Sequence, residues 1–89
     1  MKLFPLRSEK KENMDISTFI TQFADLFDET DASELTAETK FRNLNEWSSL
    51  LALSVIAMAD EEYNVSLNGK DIQNSTTVQD IFNAIKSKL

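Results

Sequence analysis

The chain has 89 residues, which suits one small domain and leaves no room for two cores of ordinary size. With 42% hydrophobic and 27% charged residues it has globular rather than disordered composition, and one Gly and one Pro supply little of the turn chemistry an all-β fold needs. Fifteen acidic against nine basic residues leave a net charge of −6, which argues against nucleic-acid backbones, and the lack of His and Cys removes a Ser-His triad, a Cys nucleophile, an imidazole base, a thiolate metal site and any disulfide.

Residues 1–13 carry Lys2, Arg7, Lys10 and Lys11 against Glu9 and Glu12 and have no periodic apolar face. Met14-Asp15 reads as a second, more natural start, so residues 1–13 read as an extension, flexible or foreign to the natural protein, ahead of a domain over 14–89. Without the extension thirteen acids face five bases. Asp15 is placed to cap a helix whose apolar stripe is Ile16, Phe19, Ile20, Phe23, Leu26 and Phe27. Asp28-Glu29-Thr30-Asp31 then reads as a solvated loop, and its spacing fails the pattern of a calcium loop. From Asp31 to Trp47 runs a long connection, an unusual feature in a compact domain, pinned at Leu35, Phe41, Leu44 and Trp47. Those anchors predict an ordered loop.

The helix from Ser49 to about Glu62 is apolar almost all round. Steps of about 100° put Leu53 and Ala57 on one side, Leu51, Val55 and Met58 on another, and Ile56 near the back. That exceeds what one bundle face needs, so the helix is central, or part of its surface meets a partner or lines an apolar pocket. Asp60, Glu61 and Glu62 close it against the helix dipole, either as a solvated helix end or as acids kept for recognition.

Tyr63, Val65 and Leu67 alternate ahead of Asn68-Gly69, a hairpin signal without a second strand. An extended loop, a turn at Gly69 and a short helical turn around Asp71 to Asn74 are expected instead. Thr76 or Thr77 caps a last helix with its stripe at Val78, Ile81, Phe82, Ile85 and Leu89. The fold class is therefore all-α: a small four-helix bundle of three main helices and one short one, with a long loop between helices 1 and 2 and a core around Phe19, Phe23, Leu53, Ile56, Ile81 and Phe82. No run reaches the about eighteen apolar residues of a membrane span, and the chain reads as cytoplasmic.

Ser49 falls in the first turn of the apolar helix, beside backbone N–H groups that lack intrahelical partners and favour an anion. It reads as an attachment point for a phosphate-linked prosthetic group. Either Ser48 or Ser49 is also a plausible plain N-cap.

From Leu35 onward these residues resemble acyl carrier proteins of the phosphopantetheine-binding class. Leu35-Thr36-Ala37-Glu38-Thr39-Lys40-Phe41-Arg42-Asn43-Leu44 is similar to the stretch leading to the attachment serine, and Ser49-Leu50 falls at the Ser-Leu of the Asp-Ser-Leu motif. Ala57 to Val65 is similar to the acidic end of the recognition helix with its following aromatic, and Thr76 to Ile81 to the start of the last helix. With the first helix in register, the resemblance covers Asp15 to Leu89.

The resemblance implies a non-catalytic carrier of fatty-acid, polyketide or related lipid metabolism. A phosphopantetheinyl transferase would attach 4'-phosphopantetheine covalently to Ser49, and acyl groups would ride as thioesters on the arm. It implies partner contacts at Leu50, Leu51, Asp60 and Glu61 with basic-surfaced acyl-transferring or condensing enzymes, an acyl pocket at Leu53, Ile56, Ala57 and Met58, a monomer, and no metal, nucleic acid or membrane. The borrowed thiol would account for the missing Cys. Ser48 replaces the motif's Asp, the preceding Gly is absent, and Leu51 and Ser54 stand where fatty-acid carriers often have acids, which points to a specialised pathway. The alternative is an unmodified interaction module docking through Leu51, Val55 and Met58. A carboxylate enzyme is disfavoured, because the acids sit at loops and helix ends.

Overall fold

A computed structural model describes residues 15–89; the expected extension at 1–13 lies outside the described residues. Among the described residues the chain forms four α-helices and no strand: α1 (Ile16–Ala24), α2 (Ser49–Tyr63), α3 (Gly69–Gln73) and α4 (Val78–Ser87). This is the small all-α bundle that the periodicity predicts, with one short helix and a long first connection.

Asp15 caps α1, its carboxylate accepting from the Ser17 N–H at 3.1 Å. The helix ends at Ala24, earlier than its apolar stripe does. Leu26 and Phe27 continue in turns closed by their N–H groups onto the Phe23 and Ala24 carbonyls, so Phe27 is still buried. Aromatic packing joins α1 to the segment around α2: the Phe23 and Trp47 rings stack at 6.4 Å, and Phe19 and Tyr63 lie 6.3 Å apart. Phe19, Phe23, Phe41, Val55, Val78, Ile81 and Ile85 are the largest fully buried side chains.

The core expectation needs one correction. Leu53 is 63% exposed and Ile56 is only half-buried, whereas Val55, Met58 and Ala59 face inward. The helical grouping of α2 was legible, but a helix apolar all round does not say which side is covered. Leu89, beyond the end of α4, is also exposed rather than part of the core stripe.

The long connection is ordered as expected, with 3-10 turns at Ala32–Glu34 and Phe41–Asn43 and with Leu35 and Phe41 buried. Three of its charged side chains, Asp31, Arg42 and Glu46, turn back onto backbone. The Arg42 guanidinium donates to the Ser75 carbonyl at 2.6 Å, the Ile72 carbonyl at 2.7 Å and the Gln73 carbonyl at 3.3 Å, covering the end of α3. Gly69 is the first residue of α3 rather than a turn, and a capping box between Asn68 and Asp71 starts that helix. The left-handed residue is Asn64, at φ 57°, which ends α2; Asn tolerates that conformation better than most residues.

Candidate functional site

Ser48 is the N-cap of α2 and Ser49 its first helical residue. The Ser48 hydroxyl accepts from the Leu51 N–H at 3.4 Å, a long and weak cap, and the Ala52 N–H reaches the Ser48 carbonyl at 3.0 Å. Among the described residues the N–H groups of Ser49 and Leu50 have no partner, and neither does the Ser49 hydroxyl. Ser49 is exposed. The side chain that caps is thus distinct from the exposed hydroxyl beside it.

What holds this turn in place lies just upstream. Trp47 packs at 4.6 Å from the Phe41 ring, and the Arg42 guanidinium covers Phe41 at 4.9 Å. Glu46 reaches across to the chain leaving α1, where its carboxylate accepts from the Glu29 N–H at 3.0 Å, the Thr30 N–H at 2.9 Å and the Thr30 hydroxyl at 2.8 Å. The Thr30 hydroxyl, helped by those N–H groups and opposed by desolvation, holds the Glu46 carboxyl below its ordinary value. Residues 28–31 are therefore tied to the start of α2 rather than being only a solvated charge run. The sequence alone does not pair Glu46 with Thr30, since a carboxylate that binds backbone across the fold leaves no periodic signal.

Beyond Ser49 the outward face of α2 carries Leu50, 71% exposed, Leu53, 63% exposed, and Ala57. Ser54 adds little polarity to it, because its hydroxyl donates back to the Leu50 carbonyl at 3.1 Å. Asp60 and Glu61 are exposed at the far end, while Glu62 meets Gln22 at 3.4 Å and the Tyr63 hydroxyl donates to Gln22. Burial, then the Glu62 and Asp15 charges, raise the Tyr63 hydroxyl pKa.

Of the partner residues expected, Leu50, Asp60 and Glu61 share the exposed side, and Leu51 is half-buried. The residues expected to shelter an acyl chain are divided: Met58 is buried, Ile56 half-buried, Leu53 and Ala57 exposed. The module face drawn through Leu51, Val55 and Met58 is corrected, because Val55 and Met58 belong to the core. A concavity of about 320 Å³ crosses the first connection between Glu29, Thr30, Glu34 and residues 43–46; it is polar except for Leu44, and none of the expected acyl-pocket residues lines it.

A phosphate ester at Ser49 fits what surrounds it: an accessible hydroxyl, two open N–H groups and no side-chain carboxylate in the first turn. Among the described residues no group of three or more His, Cys, Asp or Glu is placed to hold a metal ion, and no helix is long and apolar enough to cross a membrane. Compared with known proteins, the chain matches no family model, no curated protein and no solved structure.

Proposed function

We propose that the protein is an acyl carrier, modified at Ser49 with 4'-phosphopantetheine and acting with partner enzymes rather than as an enzyme itself. The observation that carries this reading is the open first turn of α2, where an exposed serine stands beside N–H groups unpaired among the described residues, at the head of an exposed apolar and then acidic face. Once attached, the arm supplies the thiol on which acyl groups are held as thioesters. The chain's own residues bind and orient. The Ser49 and Leu50 N–H groups and the helix dipole favour the phosphate, Ser48 keeps the turn wound, and Trp47 with Glu46 fixes where it points. With neither His nor Cys in the sequence, activation of the Ser49 hydroxyl falls to a phosphopantetheinyl transferase.

Leu50, Leu53 and Ala57 followed by Asp60 and Glu61 suit a partner surface that is apolar near Ser49 and basic further along. The same exposed stripe supports a second reading, an unmodified module docking through Leu50 and Leu53. Incubation with coenzyme A and a broad-specificity transferase separates the two by intact mass. A gain of one phosphopantetheinyl group is expected for a carrier, and no gain with several transferases for a module.

A further inference from the structure

The geometry points to Glu46 and Thr30 as a clasp that positions the Ser49 turn, so that the segment leaving α1 controls how readily Ser49 is presented to a modifying enzyme. This rests on the carrier reading for its enzymatic consequence, but the clasp itself stands on contacts. Glu46 is two residues ahead of the Ser48 cap, and both of its carboxylate oxygens are engaged by Glu29 and Thr30 at 2.8 to 3.1 Å. The cap of α2, by contrast, is a single 3.4 Å contact. A turn so weakly capped depends on what anchors the chain before it.

Two anchors precede it, and they differ in chemistry. Trp47 is held by ring packing against Phe41 and Phe23, which tolerates sliding. Glu46 is held by charge-assisted bonds to one hydroxyl and two N–H groups, which fix position and direction. Without the clasp, Ser48 and Ser49 keep their helix but lose a set orientation, and a modifying enzyme must order them on binding. Thr30 is a positioning residue in this scheme, nineteen positions from Ser49, and it touches no reacting atom.

The test uses the full chain with Glu46→Gln, Thr30→Val and Thr30→Ser. Amide hydrogen exchange is followed at Leu51 and Ala52, whose N–H groups bond to the Ser48 hydroxyl and carbonyl, and, as a stability control, at Val55 and Ala59. Steady-state modification by a phosphopantetheinyl transferase and coenzyme A is measured alongside. Glu46→Gln and Thr30→Val should speed exchange at Leu51 and Ala52 while leaving the Val55 and Ala59 protection in place. They should raise KM about tenfold with little change in kcat, the cost of ordering roughly one residue's backbone on binding. Thr30→Ser, which keeps the hydroxyl, should restore both readouts. Unchanged exchange at Leu51 and Ala52 overturns the clasp, as does an increase that appears equally at Val55 and Ala59, and so does a KM unmoved by either substitution in a chain that is modified. If the unaltered chain is not modified by any transferase, the carrier reading fails, and exchange with its Thr30→Ser rescue still decides the clasp.

Discussion

The starts of α4 and α2 are built from similar sequence and treated in opposite ways. Thr77 caps α4, accepting from the Asp80 N–H at 3.2 Å, while the Asp80 carboxylate takes the Thr76 and Thr77 N–H groups at 2.9 and 3.1 Å. The next two donors are taken by the first connection, Val78 onto the Thr39 carbonyl at 3.0 Å and Gln79 onto the Ala37 carbonyl at 2.8 Å. Ser48 caps α2 with one long bond, and Ser49 and Leu50 keep their donors open among the described residues. One helix start is closed into the architecture; the other is kept available. Open donors at a solvated helix end cost little, because water satisfies them, so leaving α2 open does not weaken the fold while it preserves a place for an anion.

The sharpest way to break this contrast is Ser49→Ala, which should abolish phosphopantetheinyl loading by intact mass and shift stability by less than about 0.5 kcal/mol in urea unfolding, since Ser49 is not the cap. Next in size is Arg42→Ala. It frees the Ser75, Ile72 and Gln73 carbonyls at the end of α3 and loosens the connection that closes α4. A loss of about 1.5 to 3 kcal/mol is expected by the same urea titration. Arg42→Lys should recover little of it, as an ammonium cannot reproduce the fork.

Removing the two caps compares the helix starts directly. Asp80→Ala should cost about 1 to 2 kcal/mol and Ser48→Ala about 0.5 kcal/mol, because only the first removes a reciprocal box. The smallest effect is in acid. The Thr76 and Thr77 N–H groups hold the Asp80 carboxyl below its ordinary 3.8, and Glu46 lies below its ordinary 4.5. Both lowered groups contribute stability that is fully present above those ordinary values and is lost as pH falls through the lower folded ones. Asp80→Asn should therefore flatten the acid limb of thermal stability measured against pH.

How far the sequence could be read depends on the kind of signal. Helices with one apolar stripe and a cap were legible: Asp15 starts α1, Thr77 starts α4, and Phe19, Phe23, Ile81 and Phe82 are buried as their spacing requires. The two helices that were read less well each hid their side or boundary. For α2 the near-uniform apolar surface gave no preference, so Leu53 was assigned inward when Val55 and Met58 take that place. For α3 the pair Asn68-Gly69 suggested a turn, but Asn68 and Asp71 form a capping box and the left-handed bend falls earlier, at Asn64. Within the candidate site the serine was visible from its position at a helix start. The Glu46 to Thr30 clasp and the Arg42 fork were not, since both join residues far apart in sequence to backbone atoms.

The most direct test of the account is which serine carries the group. After incubation with coenzyme A and a transferase, intact mass and fragment masses are compared for the unaltered chain, Ser48→Ala and Ser49→Ala. The account predicts one phosphopantetheinyl group on the unaltered chain and on Ser48→Ala, and none on Ser49→Ala. Loading of Ser49→Ala with none on Ser48→Ala would contradict it.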